Sequence, residues 1–89
     1  MVRTFIRHRV RDYGAWRAVY DGVGDMQRQG GVRAEAVFQA PNDANDVIVT
    51  HDFDDVAAAE AFFAAPELRD AMTRAGVEGE PTVWFGVAT

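Results

Sequence analysis

Residues 2–10 alternate without interruption. Val2, Thr4, Ile6, His8 and Val10 fall on one side; Arg3, Phe5, Arg7 and Arg9 fall on the other. Period two sustained over nine residues specifies a β-strand. Asp12 then stands where a helix N-cap belongs. Tyr13, Trp16, Tyr20, Val23 and Met26 come next at spacings of three and four, one stripe of a helix. The stretch from His8 to Trp16 is therefore a hinge that turns a strand into a helix, and it concentrates the polar and aromatic residues of the first half of the chain.

The remaining elements can be read in order. Gly14, Gly22 and Gly24 weaken the first helix by up to about 1 kcal/mol each relative to Ala, so it must lean on tertiary packing. Gly30-Gly31 ends it. A second strand spans 32–40, with Val32, Ala34, Ala36 and Phe38 on one face. Residues 41–46, Pro-Asn-Asp-Ala-Asn-Asp, form a turn, and a third strand spans 47–53. The short polar connection makes these two strands a hairpin. Val47, Val49, His51 and Phe53 share one face of the third strand; Ile48, Thr50 and Asp52 share the other. Asp54 or Asp55 caps a second helix, Val56 to Ala65. Pro66 opens a further helical piece, Glu67 to Ala75, which Gly76 stops. A last strand runs from Thr82 to Val87.

This order, β-α-β-β-α-β, is that of the ferredoxin-like α+β fold. Right-handed crossovers and the central hairpin give one antiparallel sheet in the order 4-1-3-2, with the first strand central and the helices on one face. The other face should be polar if it meets water. Yet alternation places Phe5, Val37, Ile48 and Trp84 there, an apolar patch that calls for a partner. A two-fold homodimer packed sheet to sheet meets that need, with Arg3, Arg7, Arg9 and Asp52 available for pairing between subunits at the rim. A slipped register that turns Trp84 inward is the alternative.

The 89 residues make one domain, 1–89, and a chain this short buries only about 60% of the surface its unfolded form exposes. It has no Cys to staple it, which again favours association. No apolar run approaches the ~18 residues of a membrane span, and the amino terminus has no signal-peptide core, so the cytoplasm is the expected location. All nine cations are Arg against fourteen acids, a net charge of −5 that disfavours nucleic acid. Seven of the Arg lie in residues 1–40 and ten of the acids in 41–89, so much of this asymmetry should become pairing within the chain or between subunits.

The residue set excludes several chemistries. Without Ser or Cys there is no Ser-His-Asp arrangement, thiol nucleophile or thiolate zinc site. Gly22-Val23-Gly24 lies within a helix, not after a strand, and is no phosphate loop. His8 is the candidate general base, facing the helices beside Trp16 and Tyr20, or Tyr13; the alternative is a core histidine bonded to a backbone carbonyl or to Tyr. His51 faces the same side. Antiparallel pairing separates the two by roughly four residues at ~3.3 Å each, which argues against a two-histidine metal site or a shared dyad. His51 could line the far end of one elongated pocket. Trp16, Tyr20, Phe62, Phe63 and Met72 read as core. If that core is incomplete, they wall a pocket suited to a flat, apolar ligand.

Four segments carry a resemblance: His-Arg-Val-Arg-Asp-Tyr-Gly-Ala-Trp at 8–16, the Phe-Asp-Asp at 53–55, Ala-Phe-Phe-Ala-Ala-Pro-Glu-Leu at 61–68, and the closing Trp84-Phe85 strand. Over nearly its whole length the chain resembles the dimeric α+β barrel superfamily, and within it proteins of the antibiotic-biosynthesis monooxygenase type and short proteins labelled cyclases. The resemblance implies a homodimer with no metal or flavin cofactor, and a pocket between sheet and helices in each subunit. It also implies oxygenation or cyclisation of an aromatic, polyketide-like substrate whose own enolate or phenolate carries much of the reactivity. His8 would then be the catalytic residue, and Tyr13, Trp16, Tyr20, His51, Phe62, Phe63 and Met72 the substrate wall. The His, Asn and Trp trio of haem-degrading relatives finds no match here. The competing reading is a non-catalytic dimeric ligand-binding or accessory module with structural histidines. A pocket above ~300 Å³ lined by His8 and Trp16 would favour catalysis; a filled core with His8 bonded to backbone would favour the module.

Overall fold

Strict alternation at the start of the chain becomes the middle of a sheet. In the computed structural model, which describes residues 1–89, the strands are β1 (Val2–Val10), β2 (Ala34–Ala40), β3 (Asp43–Phe53) and β4 (Val77–Val87). They form one antiparallel sheet in the order β2-β3-β1-β4, the expected order read from its other edge. The helices are α1 (Tyr13–Gly22), α2 (Gly24–Gln29), α3 (Val56–Ala64) and α4 (Pro66–Arg74). Val2, Thr4, Ile6, His8 and Val10 are all buried under them, while Arg3, Arg7 and Arg9 face out. None of these helices is long and apolar enough to cross a membrane.

Caps and glycines set the helix ends. The Asp12 carboxylate accepts from the Ala15 amide at 2.9 Å, and Asp55, rather than Asp54, accepts from the Ala58 amide at 2.8 Å. The single first helix expected from the aromatic stripe is broken at Val23, where Gly22 and Gly24 flank a residue with φ −107° and ψ 20°. The break re-phases the next turns of helix: Gln27, polar by type, is buried on α2. Pro66 opens α4 and divides it from α3.

Three strand assignments are corrected. The turn at 41–46 is tighter than expected: Ala40 already pairs with Asp43, so Pro41 and Asn42 alone turn the chain. The rest of the polar run is a bulge inside β3, across a register shift between Gln39 and Ala40. There Asp43 and Asp46 hold Arg9 and Arg7, and the Asn45 side-chain oxygen accepts from the Tyr13 amide at 2.9 Å, pinning the start of α1. β4 begins at Val77, five residues before Thr82, because a second bulge interrupts its pairing with β1 between Arg7 and Arg9. Gly79, with φ +72°, and Pro81 sit in this bulge.

The third correction concerns the faces of β2. Val37 pairs with the buried Val49 and packs against the core, while Phe38 pairs with Ile48 on the open face and is 54% exposed. The chain enters β2 only at Ala34; Val32 is buried ahead of it, against Phe53, Ala59 and Phe62, and does not share the strand's phase. On the open face Phe5 and Trp84 stack with centroids 5.5 Å apart and an interplanar angle of 9°, and Trp84 remains 47% exposed.

The rim charges are paired within the chain. Arg3 holds Asp52 through two bonds of 2.7 and 3.0 Å, and Arg7 holds Asp46 through bonds of 3.1 and 2.6 Å. Arg9 pairs with Asp43 and Arg33 with Asp54. Basic early and acidic late residues thus meet, three of the four pairs as neighbours on β1 and β3. Within one chain these Arg groups already have carboxylate partners, while the Arg3, Arg7 and Arg9 side chains stay at least half exposed.

Candidate functional site

The inward side of the sheet and the first helix bring the two histidines into one row of rings. His8 meets Trp16 edge to face at 5.7 Å. Trp16 stacks on Tyr20 at 4.9 Å, and Tyr20 lies nearly parallel to His51 at 6.2 Å and 9°. The spacing that makes this possible is simple: Trp16 and Tyr20 are one helical turn apart on α1. In the sheet His8 pairs with Val47 and His51 with Thr4, four residues apart along the strands. Tyr20 therefore serves His51, not His8.

These rings line a cavity of about 70 Å³ between the sheet, α1 and α4. Of the expected wall, His8, Trp16, Tyr20, His51, Phe63 and Met72 line it. Tyr13 and Phe62 do not. Tyr13 packs on the outer side of Trp16 at 5.8 Å, and Phe62 belongs to a second core cluster with Val32, Phe53 and Ala59. Apart from Gln27, the remaining walls are aliphatic, among them Ile6, Val49, Leu68 and Val83. Next to the cavity, Phe63, Leu68, Met72 and Val83 also line a separate groove of about 690 Å³ between α4 and the start of β4, with Gly79, Glu80 and Pro81 of the bulge. His8 is the one residue of β1 between Arg7 and Arg9 left without a β4 partner, directly across from that bulge.

Both imidazoles are buried, with His8 at 7% and His51 at 3% exposure. In each, no protein group bonds to Nδ1. A buried polar atom without a partner costs about 1–3 kcal/mol, so two in one cavity are a notable concentration. Burial holds His8 below its ordinary pKa, with the Asp46 charge opposing. It pushes His51 down to about 4, with Asp52 opposing. Both are therefore neutral near pH 7, able to accept a hydrogen bond or proton at one nitrogen. Tyr20 is held above its ordinary value by burial first and by the Glu35 charge second.

Sequence reasoning missed Glu35 and Gln27. The Tyr20 hydroxyl donates to Glu35 Oε2 at 3.1 Å and lies 3.2 Å from His51 Nε2. Glu35 faces the helices only because β2 has the phase opposite to the one expected. Gln27 is buried beside the same cavity because the break at Val23 turns α2. A polar residue on the apolar side of an edge strand was the available signal. No three His, Asp or Glu side chains converge in the way a metal site requires.

No protein-family model matches the sequence, and no curated protein matches it. Solved structures do. An antibiotic biosynthesis monooxygenase superposes over 100% of this chain and 99% of its own, with a TM-score of 0.77 and 16% identity. A candidate antibiotic biosynthesis monooxygenase of Bordetella bronchiseptica covers 99% of this chain and 96% of its own, with a TM-score of 0.85 and 10% identity. SnoaB of Streptomyces nogalater, a cofactor-independent oxygenase, covers 99% of this chain and 94% of its own, with a TM-score of 0.76 and 15% identity. At these identities the likeness is one of backbone architecture, and it is complete along the chain: this protein has the ferredoxin-like α+β fold of the antibiotic biosynthesis monooxygenase proteins.

Proposed function

We propose that the protein is a cytoplasmic homodimer, one domain per chain, whose cavity binds a flat, apolar, aromatic, polyketide-like molecule and promotes its oxygenation or cyclisation without a metal or flavin. The observation that carries this reading is the pair of buried imidazoles, each with an unbonded Nδ1, in one aromatic-walled cavity that shares Phe63, Leu68, Met72 and Val83 with an adjoining groove. The inner cavity alone is smaller than the ~300 Å³ of a usual ligand pocket. The ligand body would lie in the groove along Leu68 and Met72, with its acidic edge inserted towards His8 and Trp16. His8 would take a proton from a phenol or enol. The carbanion character that results resides on the ligand, and reaction with oxygen or an internal carbonyl proceeds from it. The likeness to SnoaB supports the class of chemistry.

The dimer would form through the open sheet face, with Phe5, Ile48, Trp84 and Phe38, the last in place of Val37, as its apolar centre. A second reading, a non-catalytic dimeric ligand-binding or accessory module, draws support from the inner cavity's 70 Å³.

Incubation with hydroxylated naphthalenes and anthracenes under air, followed by mass spectrometry, separates the two. The catalytic reading expects gain of oxygen or loss of water, abolished in His8→Ala without change in helicity or sedimentation. Turnover that survives in His8→Ala removes the base assigned here. Parallel loss of stability and activity makes the histidine structural. No product from any of these compounds favours the module.

A further inference from the structure

The Tyr20 hydroxyl, beside Gln27, has one hydrogen and two partners within hydrogen-bond distance, Glu35 Oε2 at 3.1 Å and His51 Nε2 at 3.2 Å. A carboxylate only accepts, so the hydroxyl hydrogen is directed to Glu35. The phenol oxygen then offers lone pairs to Nε2, which places the imidazole hydrogen on Nε2 and leaves Nδ1 as a bare acceptor. That atom is buried and no protein group bonds to it. The three residues lie on three elements: α1, β2 and β3. Their two ends lie on opposite sides of one wall. His51 lines the inner cavity, and Glu35 lines a separate surface groove of about 370 Å³ with Arg28 and Arg33. Tyr20 and Gln27 line both and form the partition.

We infer that His51, Tyr20 and Glu35 form a proton relay that carries a proton from a ligand in the inner cavity to the surface groove behind it. The ligand end of the relay rests on the ligand-binding reading above. In the transfer, the acidic O–H of the ligand breaks as Nδ1–H forms. Nε2–H breaks as a new O–H forms on Tyr20, and the original Tyr20 O–H breaks as Glu35 becomes a carboxylic acid. The ligand loses one proton, Glu35 gains one, and solvent in the groove removes it; no electron changes hands. Burial opposes a lasting imidazolium or tyrosinate here. The concerted route needs neither, because His51 and Tyr20 end neutral. The charged groups around the chain are Arg17, whose guanidinium lies 5.5 Å from the Tyr20 ring centroid, Asp52 beside His51 in β3, and Glu35 itself. His8, at the other end of the cavity, takes no part in these bonds.

The relay can be tested without a ligand by 15N-resolved NMR of the two imidazoles, assigned with His8→Gln. The wild type is expected to show His51 as the Nε2–H tautomer, with that hydrogen exchanging with water through Tyr20 and Glu35. Glu35→Gln keeps an acceptor for the phenol but cannot take its proton. It should preserve the tautomer and the melting temperature while slowing exchange by roughly tenfold or more. Tyr20→Phe keeps the ring and should slow exchange as far. A wild-type Nδ1–H tautomer, or unchanged exchange in Glu35→Gln, overturns the relay. With p-nitrophenol as ligand, a jump to higher pH should ionise the bound phenol roughly tenfold faster in wild type than in Glu35→Gln; equal rates contradict the cavity end of the relay. Failure of p-nitrophenol to bind counts against the ligand-binding reading, and the exchange rates still decide the relay.

Discussion

His51 titrates in a direction opposite to that of an exposed, paired histidine. The fold holds its pKa near 4 against an ordinary 6.5, so the native state prefers the neutral ring. Between those values the unfolded chain binds a proton that the folded chain refuses. Stability is therefore complete above about pH 6.5 and is lost as pH falls towards 4, by an amount on the order of 3 kcal/mol for His51 alone. His8 adds in the same sense. The paired carboxylates Asp43, Asp46, Asp52 and Asp54 are also held below their ordinary 3.8, so their loss belongs to more acidic solution. Thermal melting from pH 7 to 4 should fall steadily in the wild type and more shallowly in His51→Gln. A flat wild-type profile over that range would show that these rings are not held neutral. The inward orientation of both histidines was legible from alternation alone, since it depends only on strand phase. Their neighbours were not: which ring meets Tyr20 depends on how α1 lies across the sheet, and that is fixed by packing.

Caps and glycines govern the elements. At Gly30 the backbone is ordinary, with φ −78°, so its role is space and not conformation. A Cβ there would stand 2.5 Å from Phe62 Cδ1 and 3.3 Å from the Met26 carbonyl oxygen. Gly30→Ala should cost about 1–3 kcal/mol through overpacking, read as a lower denaturation midpoint with unchanged slope. Asp55→Ala should cost about 1 kcal/mol by the loss of its bond to the Ala58 amide. An unchanged midpoint in Gly30→Ala would mean that the Phe62 ring has room to turn away. The sequence carried β1, the Asp12 cap and the Pro66 break, and narrowed the second cap to Asp54 or Asp55, because each is encoded within a few neighbouring residues. It did not carry the face of β2 or the start of β4. Both depend on bulges, at Asp43–Asp46 and Gly79–Pro81, whose register is decided by the partner strand. The error in β2 is why Glu35 escaped notice.

At the scale of the molecule, two regions remain open. One is the outer face of the sheet around Phe5, Trp84 and Phe38. Its flanking Arg–Asp pairs are satisfied within the chain, so association there would rest on apolar contact and be insensitive to salt. Sedimentation at micromolar concentration should show twice 9.8 kDa, and the Phe5→Glu/Trp84→Glu variant should return to 9.8 kDa. A wild-type monomer removes the dimer. The other region is the groove beside α4, which shares Phe63, Leu68, Met72 and Val83 with the inner cavity that His8 lines. The proposed function turns on its use, together with that cavity, as a ligand site, and Trp16 lines the cavity. In Trp84→Phe, Trp16 is the sole indole, and its fluorescence can be followed during titration with 1-naphthol. Saturable quenching is expected, abolished when Met72→Arg places a charge at the mouth and retained in His8→Ala. Quenching that never saturates, or that is indifferent to Met72→Arg, would rule out a ligand site between the sheet and the helices.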